Sequence, residues 1–286
     1  FFKEEIIPAE SSKFAFVIAP LIALVPAFIT FAVIPFGGVI EVAGYKIPLQ
    51  VASYVDMGSG KVYDINVGVL YVLAMSSLGV YGIVLAGWAA NSKYSLMGGL
   101  RSAAQLISYE LSAGLSVIAV FMLSQTLSLN EIVNLQSGFY GFDWYLFKQP
   151  LAAFLFFVCT LAEINRVPFD LPEAETELVS GFCTEYSSMK YAMFFMAEYA
   201  NMVTVCALTT TLFLGGWNGP LATSIPLLGP VYFVAKVYFL MFFIIWLRAT
   251  LPRYRYDQLM HLGWKVFLPL GLLNIVITGI VGYLVK

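Results

Sequence analysis

The run FAFVIAPLIALVPAFITFAVIPF, residues 14–36, is 23 residues long and contains no charged side chain. At about 1.5 Å of rise per residue, a helix of this length crosses the roughly 30 Å hydrocarbon core of a bilayer. Its apolar residues are continuous rather than alternating, which argues against a β-barrel strand. Six further runs of this kind lie at about 67–90, 102–123, 150–165, 189–214, 230–251 and 262–285. The fold class expected is therefore an all-α integral membrane protein with seven transmembrane helices in one polytopic domain, residues 1–286. The fourth run is short, and its start can reach back toward Phe147. Pro20 and Pro26 fall inside the first run, where neighbouring groups must satisfy the carbonyls they free.

Composition agrees. The chain is 60% hydrophobic and 11% charged, against about 25% charged residues in a globular domain. A net charge of −2 argues against a nucleic-acid partner. Cys159, Cys183 and Cys206 are far apart and form no C-x-x-C, so no iron–sulfur or zinc site is encoded. Loop charges set the orientation. Lys3, Lys13, Lys93, Arg101, Arg166, Lys190, Arg253, Arg255 and Lys265 fall on one side, and Lys46, Lys61, Lys148 and Lys286 on the other. The first set marks the cytoplasmic or matrix side. On the outer side, residues 37–66 contain VASYVDMGSGKVYDI, expected to form a small hairpin. LSLNEIVNL, beginning at Leu127, has helical spacing behind Ser128 and is expected to lie along the interface as a short amphipathic helix.

Four ionisable residues interrupt the apolar runs: Glu110, Glu163, Glu198 and Lys236. A charge at mid-membrane costs roughly 2.5–3.5 kcal/mol on insertion scales, so these four should face one another, a polar cavity or another subunit. Helix-to-helix hydrogen bonds or a simple Glu–Lys pair would account for them structurally. A proton relay would account for them functionally. A stand-alone ion transporter is a further reading, but there is no repeated pair of hydrophobic blocks and no second intramembrane lysine to match Lys236.

The stretch TLAEINRVPFDLPEAETELVSGFCTEY, residues 160–186, gathers six of the seventeen acids around one base, Arg166. Pro168 disfavours helix at Val167, so the fourth span should end near Asn165 or Arg166. Asp170 and Glu173 have capping-box spacing with Pro172 in the first turn, so a second helix should start there. On it Glu173 and Glu177 share a face, without lysines to offset them. Residues 166–187 are either a solvated inner loop or an acid-lined funnel leading to Glu163, with Arg166 as its local counter-charge. Spacing alone does not choose.

The segment AEINRVPFDLPEAETELVSGFCTEYSSMKYAMFFMAEYAN, together with GLRSAAQLISYELSAG and YDQLMHLGWKVFLPL, resembles the quinone-chamber membrane subunit of respiratory complex I, a proton-pumping NADH-quinone oxidoreductase. Anchors of energy-converting hydrogenases and of the photosynthetic complex are more distant relatives. The resemblance implies a multi-pass subunit of an energy-transducing inner membrane, beneath a peripheral arm that holds the flavin and iron–sulfur clusters. The chain itself would bind neither FMN nor a cluster. Quinone would be a substrate of the assembly, and the isolated chain would be inactive. Its partners would be the peripheral-arm quinone-site subunits, the adjacent antiporter-like and small membrane subunits, and lipids. Carried over by motif, Arg166, Asp170, Glu173, Glu175 and Glu177 would line the chamber or its loop. Phe194 and Phe195 would contact quinone, and Arg253, Arg255 and Asp257 would form a neighbouring inner loop. Glu163, Glu110 and Glu198 would continue as a row of carboxyls. His261 would be an interface or packing residue. The family begins with another helix and a basic segment before a motif like FFKEE, which would make eight spans.

Overall fold

The computed structural model describes residues 4–42, 45–55, 62–63, 65–138, 143–171, 179–220 and 227–284. Among the described residues, six helices are long and apolar enough to cross a membrane. They are α1 (Lys13–Ile29, extended by a 3₁₀ turn to Ala32), α2 (Gly68–Ala89), α3 (Lys93–Ser124), α6 (Ser188–Phe213), α7 (Leu228–Thr250) and α8 (Tyr256–Leu284). Between them lie the short helix α4 (Leu129–Leu135) and the apolar helix α5 (Pro150–Glu163). The protein is an all-α integral membrane protein.

The expected fourth span corresponds to α5, and at 14 residues it is shorter than any of these six, so six of the seven expected spans are matched by helices long enough to cross. Its start does not extend back to Phe147: Tyr145–Lys148 is a separate helical turn, broken from α5 at Gln149. Proline at the first helical position explains the break, because it lacks the N–H that would continue a helix arriving from upstream. The third span is longer than hydropathy suggests, starting at Lys93 rather than 102. Its polar first turns are held by close backbone packing. A side chain on Gly98 would come within 2.7 Å of Gly181, and one on Gly87 within 2.7 Å of the Ser95 carbonyl.

Between α3 and α5, Ser128 caps α4, its hydroxyl accepting the Glu131 N–H. Strand β1 (Val39–Val42) pairs antiparallel with β2 (Tyr45–Pro48), and β3 (Tyr54–Val55) with β4 (Val62–Tyr63). The second ladder is the expected hairpin; its turn lies outside the described residues. The first was not anticipated.

Two groups of buried side chains form the interior. The larger runs through α3, α5, α6 and α7 and includes Tyr109, Phe156, Ile164 and Phe213. The smaller joins α1, the end of α2 and the start of α6 through Phe16, Ala23, Ala86, Phe182, Tyr186 and Phe194. Small residues let α1 and α2 meet closely, since a side chain on Gly82 would strike the Ala23 backbone at 2.6 Å. Outward faces stay apolar: Phe239, Phe242 and Ile245 on α7 are exposed, as lipid contact requires. Cys159, Cys183 and Cys206 are all buried. Within α8, Leu262–Phe267 is a π-helical turn, held to α3 by Trp264 Nε1 donating to Ser108 Oγ (2.9 Å) and Tyr109 OH donating to the Leu259 carbonyl (3.0 Å).

Candidate functional site

The site is organised by where α5 stops. Glu163 is its last helical residue and Ile164 its cap. Asn165 then turns with φ at 55°, and Arg166 begins the loop that follows. This end is pinned from α3. The Gln105 amide donates to the Ala162 and Phe169 carbonyls, both at 2.8 Å, so one buried side chain satisfies acceptors on either side of the turn.

Glu163 therefore lies within the bundle, at the seam between the two groups of buried side chains. There it lines a cavity with Glu110 of α3 and Glu198 of α6. Ser76, Asn165 and Asn201 add polar wall, and Phe182, Phe194 and Phe195 add aromatic wall. The Ser77 hydroxyl donates to the Glu110 carboxylate, and the Ser76 hydroxyl hydrogen-bonds Glu163. About 60 Å³ of this space is open to water-sized occupants. A buried water needs roughly 10–15 Å³ on that measure, whereas small-molecule pockets run to about 300–1,000 Å³. The cavity is sized for a few waters, not for a ring.

The counter-charge has a different partner from the one expected. Arg166 does not pair with Glu163, one turn earlier. Its Nε instead reaches Glu198 Oε1 at 2.7 Å, in a pair that is 8% and 15% exposed. The guanidinium lies 4.8 Å over the Tyr199 ring, and its buried Nη2 finds no partner among the described residues. The turn at Asn165 explains the exchange: it carries Arg166 off the α5 axis and toward α6.

Asp170 accepts from Arg253 Nη2 at 2.8 Å. Burial pushes its carboxyl above the usual aspartate range, against the pull of Arg253, Arg166 and Arg248. This pair ties the loop after α5 to the segment before α8, where Tyr254 stacks on Phe169 and its N–H donates to the Pro168 carbonyl (3.1 Å). Arg255 and Asp257 form an exposed pair at 3.3 Å, and His261 is exposed. Glu173, Glu175 and Glu177, with the helix expected to follow Asp170, lie outside the described residues.

Lys236 is not among the cavity-lining residues. Its ammonium donates to the Leu214, Gly216 and Asn218 carbonyls at 2.7, 2.9 and 2.6 Å, with Trp144 5.0 Å away. All three donors are thus used on the C-cap of α6 and the turn that follows it.

Sequence reading missed Ser76, Ser77, Gln105 and Asn201. The signal for Asn201 was present, because it follows Glu198 by one helical turn. Two adjacent serines within an otherwise apolar run were another. Among the described residues, no group of three or more His, Cys, Asp or Glu could hold a metal ion.

Comparison with known proteins bears on this arrangement. Residues 1–279 match the NADH dehydrogenase family. The chain belongs to that family. An H-type NADH-quinone oxidoreductase subunit from Geobacter metallireducens is 74% identical over 281 residues, covering 98% of this chain and 79% of the relative. Its counterpart in Geobacter sulfurreducens has the same identity and coverage. The counterpart in Thermomicrobium roseum is 51% identical over 285 residues, 98% of this chain and 79% of the relative. With several apolar helices, this member of the NADH dehydrogenase family is a multi-pass membrane protein.

Proposed function

We propose that the chain is the membrane subunit of a proton-pumping NADH-quinone oxidoreductase that walls the quinone chamber and couples quinone reduction to proton movement. The observation that carries this reading is the meeting of Glu110, Glu163 and Glu198 in one water-sized cavity among buried aromatic rings. Quinone reduction takes up two protons and places negative charge in a poorly screened region. Nearby carboxyls that interact strongly titrate as a set, so such a charge changes how they share protons. Arg166, paired to Glu198, joins that set to the inner loop.

The division of labour follows from size. The cavity between the carboxyls suits water and proton transfer. Quinone itself would meet the loop side, where Arg166, Asp170, Arg253 and the acids Glu173, Glu175 and Glu177 belong, with Phe194 and Phe195 between the two. Arg255, Asp257 and His261, exposed on the same inner side, would face the peripheral-arm subunits. Flavin and iron–sulfur clusters would reside in those subunits, the remaining partners being neighbouring membrane subunits and lipid. Lys236 has its ammonium committed elsewhere and serves the fold. The location would be an energy-transducing inner membrane, with residues 166–187 on the cytoplasmic or matrix side and 37–66 outside.

The test is made on the native assembly in vesicles. A photoreactive quinone should label this chain, and Glu163→Gln should lower proton translocation per quinone reduced. An unlabelled chain, with quinone reduction and pumping intact in Glu163→Gln and Glu173→Gln, would remove the assignment.

A further inference from the structure

A second, smaller void adjoins the carboxylate cavity and shares three of its walls: Ser76, Glu163 and Asn201. Its remaining polar lining is Thr30, Thr160 and Thr204, set among Val72, Leu73 and Phe156. All three threonines are more than nine-tenths buried. Their hydroxyl protons are already committed. Thr30 donates to the Ala27 carbonyl (2.8 Å), Thr160 to Phe156 (2.8 Å) and Thr204 to Ala200 (3.0 Å). The Thr30 and Thr204 oxygens nevertheless lie 3.4 Å apart. Either hydroxyl can donate to the other across this gap in place of its own helix carbonyl. A hydroxyl that donates to its own helix keeps two acceptor sites, so each threonine oxygen can still accept a bond from within the void.

The space is about 20 Å³, enough for one water, which also needs two to four polar partners. The Glu163 carboxyl, the Asn201 amide and the threonine oxygens are the partners available. A water here donates toward the hydroxyl oxygens and faces Glu163 on its other side. We propose that the void is a one-water site making Glu163 a fork, with a second hydrogen-bonded arm that leads through Thr204 to Thr30. Thr30 stands at the opposite end of α1 from Lys13, so the arm points away from the inner loop, across a helix about 25 Å long.

This rests on the proposal that Glu163 exchanges protons, and the experiment separates the two. A high-resolution density map of the native assembly should contain one ordered water between Glu163, Asn201 and Thr204. In vesicles, Thr204→Val should lower protons translocated per quinone reduced by about twofold or more, and Thr204→Ser, which keeps the oxygen, should restore it. A dry void in the native map overturns the inference, whether or not the variants assemble. So does an unchanged ratio in Thr204→Val alongside a lowered one in Glu163→Gln, which leaves the relay itself standing. An unchanged ratio in Glu163→Gln overturns the relay and this arm with it.

Discussion

Arg166 and Glu198 illustrate how a single pair can matter more through its loss than through its presence. Both are largely buried, and the carboxylate shares its cavity with two other acids. Breaking a buried pair on one side costs about 3–5 kcal/mol, whereas replacing both members by apolar residues is often near neutral. Arg166→Leu should therefore lower the thermal midpoint of the purified assembly markedly, and Arg166→Leu combined with Glu198→Leu should recover most of the loss. A double variant as unstable as the single one would show that Arg166 is held for something other than Glu198. Asp170 makes a pH-dependent case. Its carboxyl is raised by burial, so its contribution to stability is full below the ordinary aspartate value and is lost as pH rises through the raised one. Arg253 is the largest force opposing that rise. Arg253→Gln should extend the loss to higher pH, read as a larger fall in thermal midpoint as pH rises above the ordinary aspartate value.

At the scale of elements, α5 is decisive because it is short. A helix that stops at Glu163 leaves its last carboxylate within the bundle, and the Gln105 bonds keep it there. The end of α6 is secured differently, by a cation on α7 filling three carbonyls. Lys236→Met should cost on the order of 3 kcal/mol by leaving those acceptors unpaired. If the lysine serves the fold alone, the surviving assembly should keep its ratio of protons to quinone. A changed ratio at unchanged stability would return Lys236 to the relay. Much of this level was legible in advance. Pro168 announced the end of α5, Ser128 the start of α4, and the apolar runs six of the helices. The extra turns of α3 were not, because Gly87, Gly98 and Gly181 hold them by backbone contacts that hydropathy does not register.

For the whole molecule, the cavity sits where the two groups of buried side chains meet, so its walls come from α1, α2, α3, α5 and α6 together. No short segment could carry it. A stand-alone transporter should move ions when purified by itself. A subunit whose chemistry depends on partners should not. The isolated chain in vesicles is expected to show neither quinone reduction nor proton flux, measured with a pH-sensitive dye. Flux from the chain alone would favour the transporter reading.

Composition and hydropathy by themselves determined the membrane class, because burying charge in lipid is so costly that a chain this apolar has few alternatives. They also picked out Glu110, Glu163 and Glu198, since an acid in an apolar run stands out wherever the helix packs. Pairing is another matter. Only the tertiary structure could give Arg166 to Glu198 rather than Glu163, fasten Asp170 to Arg253, and separate Lys236 from the carboxylates. Those outcomes depend on turns such as the one at Asn165 and on which helix ends lie side by side. Local spacing fixes a helix face, but contacts between distant segments decide what that face meets.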